Sequence, residues 1–339
     1  MERERQAAAN EHEEITGDYN SEIDNEEASI ENGDEEDENE DENEEDVFVF
    51  PSEDKRPYAV MIDNEGTKCL PQGGLDKAQV IYEIIVEGGE TRFMLLFWGT
   101  RPEMIGPVRS TRHYFLDYVL EHDAIHVHFG WSPRAISDIS SLRINNINGV
   151  ANGGEIFWDL TNDINNWQDS YTSMEKIEEY VNRVKYRTTN EKEPVFAYNM
   201  EDEELESEIN AERVGIYYNQ FNTSEYVYDP LTGWYNRFRK GKPHVERVSE
   251  AQLTVKNIIV QFAKNYPIPG DPEGRQEVET VGSGEGWFIT RGKAIKIKWS
   301  KASRSEPTRY VDKAGNPIRL NPGQTWVQVI SPYAKVEIQ

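Results

Sequence analysis

Contiguous apolar positions begin with Val47–Phe50, and from there short hydrophobic runs alternate with polar turns to the end of the chain. Order is therefore expected to begin near Val47. Arg56–Asn64 (RPYAVMIDN) holds five apolar residues in a row, Tyr58 to Ile62, and predicts a buried strand, as does Phe93–Trp98 (FMLLFW). Leu75–Val86 between them reads two ways. Ala78, Ile81 and Ile85 suit one helical face, whereas the β-branched run Val80–Val86 suits a strand. Pro107–His122 approaches a helical repeat through Val108, Tyr114, Phe115, Tyr118 and Val119, with Ser110 as N-cap. His126–Phe129 predicts a short strand. Ser132–Leu142 predicts a helix capped by Ser132 with Pro133 at its first position. Ser173–Val184 predicts another, with Met174, Ile177, Tyr180, Val181 and Val184 on one side. Strands alternating with helices predict an α/β or α+β domain whose helices cover a sheet.

After Tyr186 the pattern changes. Short runs rich in Val, Ile, Tyr and Trp follow, among them Gly215–Tyr218, Trp234–Phe238, Asn257–Ala263, Trp287–Arg291, Ala294–Trp299 and Thr325–Ile330. Asp229-Pro230, Thr232-Gly233, Lys240-Gly241, Pro269-Gly270 and Pro322-Gly323 punctuate them, the signature of a smaller, mostly antiparallel β domain. Arg291-Gly292-Lys293 reads as a tight hairpin. Gly282–Gly286 (GSGEG) lacks the strand–loop–helix context of a phosphate cradle and reads as a turn or bulge. The predicted organisation is an acidic linker over 1–54, an α/β domain over 55–193 and a β-rich domain over 194–339.

Charge sharpens the first of these divisions. Residues 1–54 carry 24 acids against Arg3 and Arg5, while residues 55–339 carry 39 acids against 34 bases. Residues 31–46 (ENGDEEDENEDENEED) contain no apolar side chain, so they are expected to stay disordered as a stand-off spacer or an arm for a basic partner. The folded part has no cation surplus with which to displace counterions, which excludes nucleic-acid binding by bulk charge. Cys69 is the only cysteine, which excludes a disulfide-stapled fold. The opening MERERQAAAN lacks the apolar core of a signal peptide, and no apolar run approaches the roughly 20 residues of a membrane helix. Read literally, the chain is soluble. A long polar spacer before a folded body nevertheless suits an anchored surface protein whose start has been trimmed.

Three arginines lead the candidate chemistry. Arg92 follows Glu87, Gly88 and Gly89, and Arg109 and Arg112 lie in Gly106–Arg112. If a helix starts near Ser110, its free N–H groups and two guanidinium groups three residues apart form an anion site. The alternative is that these arginines pair with Glu83, Glu87, Glu90 or Asp117 and hold the domain together. His126 and His128 project to one face of a strand and could ligate zinc with His113 or His122, but no spaced carboxylate or thiol set completes the pattern, so no metal or other cofactor is expected. His128, just before Phe129-Gly130-Trp131-Ser132, is expected to line a cleft. His244 reads as a turn residue. Glu83 and Glu87 could form a paired-acid site if helical. Cys69 falls in a loop without a neighbouring histidine, and Ser110 and Ser132 lack a nucleophile elbow.

The strings RPYAVMIDN, PQGGLDKAQVIYEIIVEGGETRFM, IGPVRSTRHYF and HVHFGWSP, followed by LTVKNIIVQF, VGSGEGWF, GKAIKIKWSK and RLNPGQTWVQVI, resemble the YerB-like family of bacterial lipoprotein-type proteins across about residues 56–339. The resemblance implies an envelope protein with a layered α/β sandwich domain, a smaller β-rich domain and, ahead of a polar spacer, a lipid-modified cysteine that these residues lack. It carries over no catalytic residue, only the motif positions Glu87, Gly88, Gly89, Gly106, Pro107, Arg92, Arg109, Arg112 and His128. Many family members carry Pro-His-Asn shortly before a Tyr-Thr-Ser; here Gln168 and Asp169 stand in the histidine and asparagine positions before Tyr171-Thr172-Ser173. That departure favours binding over catalysis. The expected function is recognition of an anionic ligand or an envelope protein through an arginine-lined cleft, with membrane contact only through a lipid anchor. The alternative is a cell-wall hydrolase or transferase using His128 as general base and Glu87 as acid or orienting group.

Overall fold

The computed structural model describes residues 48–163 and 165–339; the acidic stretch 31–46 and Val47 lie outside them. The first predicted domain supplies β1 (Tyr58–Asp63), β2 (Val80–Ile85), β3 (Thr91–Phe97), α1 (Phe115–Glu121), β4 (Ile125–His128), α2 (Pro133–Ser141), β5 (Asn146–Asn148), α3 (Gly149–Ile156) and α4 (Met174–Val184). Local sequence sets several of these directly. Ser132 accepts a hydrogen bond from Ala135 N at 3.3 Å and starts α2, with Pro133 in its first turn. Ser173 accepts from Lys176 N at 3.2 Å and starts α4, whose Met174, Ile177 and Val181 are buried. The ambiguous stretch is a strand from Val80. It is hydrogen-bonded on both sides and buried on both faces, which is why its apolar run is continuous rather than alternating.

The helix expected over Pro107–His122 forms only from Phe115. Before it the chain stays extended along the end of β1. Asp63 N donates to Pro107 O and Arg109 N donates to Met61 O, both at 2.9 Å, while Thr111 N donates to Gly130 O at 3.1 Å. Backbone groups bound in this way are not available to a helical turn. Ser110 caps nothing, and its hydroxyl donates to Phe129 O at 2.9 Å. Arg109 and Arg112 therefore share no helical face, and the anion site expected at a helix start is absent there.

The later residues supply β6 (Arg213–Tyr217), β7 (Thr223–Asp229), β8 (Trp234–Arg239), β9 (Asn257–Phe262), β10 (Gly282–Thr290), β11 (Lys293–Lys301), β12 (Arg309–Val311), β13 (Thr325–Ile330) and β14 (Lys335–Ile338). Gly282–Gly286, expected as a turn, opens β10. Gly286 is required because a Cβ there would lie 2.2 Å from Val260 O of the adjacent strand. The hairpin at Arg291-Gly292 joins β10 to β11 as expected.

One ten-stranded sheet runs β12-β11-β10-β9-β13-β2-β3-β1-β4-β5. Its seam is the parallel pairing of β2 with β13, from Val80 opposite Thr325 to Ile84 opposite Val329, so both sequence segments build one sheet. A second sheet contains β8-β7-β6-β14 in that order. One face of the large sheet buries Met61, Tyr82 and Met94 with Tyr118 of α1 and Ile139 of α2. The other buries Ile62, Ile81, Phe93 and Trp326 with Tyr226 and Tyr235 of the second sheet and Ile177 of α4. The molecule is thus the mixed α/β structure that the sequence predicts. Among the described residues no helix is long and apolar enough to cross a membrane.

Candidate functional site

Strands β1, β4 and β5 run parallel, so Asp63, His128 and Asn148 come to the same edge of the sheet. Strand β3 is antiparallel to β1 and begins at that edge, with Arg92 opposite Asp63. Register puts Asp63, Arg92, His126 and His128 on one sheet face. In α/β sheets, ligand crevices open outside the carboxyl ends of parallel strands.

The three predicted arginines converge here, but not equivalently. Arg92 is 3% exposed. Its Nη1 donates to Ser110 O at 2.6 Å and its Nη2 lies 3.9 Å from Glu87 Oε1. Burial, then the nearby charges of Arg112 and Arg109, pulls its pKa down to about 10, so it remains charged at neutral pH. Arg112 grips Glu87 with Nε and Nη2 and donates Nη1 to Thr111 O at 3.0 Å. Burial works against the Glu87 carboxylate, yet the hydrogen bonds and charge of Arg112, with Arg92 behind, hold its pKa at about 2. Gly88 and Gly89 follow with φ of 70° and 75°. This left-handed pair reverses the chain from β2 into β3 and aims Glu87 at the arginines, a turn role rather than a ligand cradle.

Arg109 is the outlying member. Its Nε donates to Asp63 Oδ2 at 3.1 Å, its Nη2 lies 3.8 Å from Glu65 Oε2, and its guanidinium packs 4.6 Å from the ring centroid of Trp167. Asp63 is fully buried, whereas Trp167 is 58% exposed. Gln168 Nε2 donates to the same Asp63 oxygen at 2.8 Å and to Glu65 O at 3.0 Å. The position at which the family resemblance leads one to expect histidine therefore abuts the Asp63–Arg109 pair, and the amide there provides a hydrogen bond but does not ionise near neutral pH. Sequence reasoning missed Asp63 and Trp167 as members of the cluster. A lone aromatic within the polar run Asn165–Ser170 was the available signal.

His128 is 1% exposed, with Nδ1 2.8 Å from Gly130 O and Nε2 3.1 Å from Asn146 Oδ1. Its pKa is lowered by burial against the opposing effect of these two bonds. Its partners and those of Glu87 are separate, so the proposed base and acid do not form a pair. Glu87 is also ionised across the neutral range, which is the wrong state for a general acid. His126 stacks on His128 at 5.0 Å and its Nδ1 lies 3.1 Å from Ala59 O. Among the described residues no group of three or more His, Cys, Asp or Glu side chains could hold a metal ion.

The remaining candidates are structural. Glu83, in a strand and not a helix, pairs with the fully buried Arg237 at 2.8 Å, which separates it from Glu87 and removes the paired-acid geometry. Glu90 pairs with Lys240 and Asp117 with Arg304. His244 is buried and bonded to Arg237 and Gln72. Cys69 is fully buried, and burial first, with Asp63 adding to it, pushes its thiol up to about 12.

Comparison with known proteins places these motifs. A family model described as "Protein of unknown function (DUF3048) N-terminal domain" matches residues 49–187, and its C-terminal counterpart matches residues 214–327. "Putative lipoprotein YerB" of Bacillus subtilis (strain 168) is 31% identical over 281 residues, 82% of this chain and 82% of that protein. A crystal structure of the YerB protein from Bacillus subtilis aligns with a TM-score of 0.73 at 29% identity, covering 84% of this chain and 94% of that one.

Proposed function

The chain belongs to the DUF3048, YerB-like family, and we propose that it is a membrane-anchored, extracytoplasmic binding protein that engages an anionic group through Arg109. In this reading the acidic N-terminal stretch separates the folded body from the anchor. Arg92 and Arg112, tied to Glu87 and to backbone carbonyls, are positioning residues that stiffen the edge. Arg109 makes the contact. The observation that supports this is the Arg109–Trp167 pair. The guanidinium is held by a buried carboxylate on one side and lies against a largely exposed indole on the other, at the carboxyl edge of parallel strands. An ionic grip at the buried end fixes the side chain and leaves 12% of its surface open beside the exposed ring. An anionic protein surface or a free anion would meet the same chemistry.

Two probes, inorganic phosphate and a glutamate-rich peptide, distinguish those sources in titrations of the full chain. Arg109→Ala and Trp167→Ala are each expected to weaken binding of the preferred probe about tenfold, roughly the loss of one charge-assisted contact. Trp167→Ala removes an exposed ring, so it is expected to melt with the parent protein. Binding that survives both substitutions would refute the assignment.

A further inference from the structure

A separate recess opens beside this edge, between α2 and the ends of β4 and β5. It is an open hollow of about 460 Å3 whose lining includes His128, Trp131, Ile136, Ser140, Arg143 and Asn146. Small-molecule sites occupy about 300–1,000 Å3, so it has room for a sugar-sized ring. Trp131 is half-buried and stands edge-on to His128 at 6.3 Å. Ile136 is 42% exposed and extends the apolar wall. Arg143 follows α2 in a left-handed conformation, φ 52°, and is exposed. Unlike Arg92, Arg109 and Arg112, it has no acidic or aromatic partner among the described residues.

The polar floor is unbalanced. Gly130 O can only accept, so the His128 Nδ1–H donates to it. Asn146 directs its Nδ2–H to Ile144 O at 3.2 Å, which leaves its Oδ1 facing His128 Nε2 at 3.1 Å. Both ring nitrogens therefore face acceptors. An imidazolium satisfies both, and a neutral ring only one. The other titratable neighbour is His126, stacked at 5.0 Å, and the charged one is Arg143 on the rim; β5 and α2 otherwise present Asn146, Asn148, Ser140 and isoleucines. An anion in the hollow would favour the charged ring.

We propose that this hollow binds a sugar acid, with the pyranose ring lying on Trp131 and its carboxylate held by Arg143, while the His128 ring, its two N–H groups committed to Gly130 and Asn146, acts on the carboxylate through its charge alone. An aromatic platform takes the apolar face of the ring, the amide and hydroxyl groups of the lining meet its hydroxyls, and a guanidinium recognises the carboxylate. The hollow shares no hydrogen bond with the Arg109 guanidinium, so the two assignments stand or fall separately.

Calorimetric titration of the full chain with glucuronate, and in parallel with glucose, tests it. Glucuronate is expected to saturate the protein and to bind about tenfold more tightly than glucose, with a loss of about tenfold in both Arg143→Ala and Trp131→Ala. Its affinity is expected to rise several-fold as pH falls from neutral into the mildly acidic range, because burial holds the free His128 ring neutral and a bound carboxylate favours its protonation. Arg109→Ala is expected to leave glucuronate binding unchanged. Absence of saturation, an affinity indifferent to pH, or an Arg143→Ala protein that binds like the parent would each overturn the proposal.

Discussion

Arg237 and Arg109 are the same side chain in two settings. Arg237 lies between the two sheets with no exposed surface. It bonds Glu83, Ser224 and His244, and its guanidinium stacks on Trp326 at 4.0 Å. Glu83 is equally buried and also accepts from Thr91, Asn64 and Gln328. Arg109, at the strand edge, has one strong acidic partner and one exposed ring. Both terminal nitrogens of Arg237 are matched, its Nε alone meeting no acceptor, and a charge enclosed in this way holds the structure together. Arg109 is anchored through Nε, has its Nη2 3.8 Å from the exposed Glu65, and keeps 12% of its side-chain surface open. Pairing with an acid therefore does not by itself mark an arginine as structural; the discriminating quantity is how much of the guanidinium the protein already uses.

The largest effect expected from this contrast is at the core pair. Glu83→Ala or Arg237→Met should each cost about 3–5 kcal/mol in denaturant unfolding, because each leaves its partner charged and buried. The double variant should cost less than the sum of the two. If Arg237→Met lowered stability by under about 1 kcal/mol, the two settings would not differ as argued.

Acid is the next lever. The Glu87 carboxyl titrates at about 2 in the fold against 4.5 ordinarily, so its contribution is complete above the ordinary value and is lost as pH falls from there toward 2. The shift corresponds to up to about 3 kcal/mol. Glu87→Gln should remove that part of the pH dependence, measurable as flatter unfolding midpoints over the same interval.

The smallest effect should come from the exposed rim. Arg143→Ala is expected to change stability by no more than about 0.5 kcal/mol, since no partner is lost. A larger loss would mean that the hollow's cation is part of the framework.

Much of the fold is legible in the chain. The caps Ser132 and Ser173, the apolar stripe of α4, the buried runs at Tyr58–Ile62 and Phe93–Phe97 and the hairpin at Arg291-Gly292 are local signals, and the structure realises each. The failures share one cause. Pro107–His122 has helical spacing, but its first half is captured by backbone pairing beside β1. Gly282–Gly286 has turn composition, but a neighbouring backbone demands small residues in a strand. In both places a long-range partner outweighs local preference. The site shows the same division: Arg92, Arg109, Arg112 and Glu87 do converge, while the helix thought to unite two of them is not there.

The sequence alone determined which residues carry charge, several helix starts and to which family the folded part belongs, because these depend on side-chain identity and near-neighbour order. Only the tertiary structure decided how each arginine's nitrogens are used. Asp63, Glu65 and Trp167 reach Arg109 from positions distant in the chain, and Glu83 meets Arg237 across 154 residues. Whether a guanidinium is a brace or a contact depends on what surrounds it in space, and packing alone sets those surroundings.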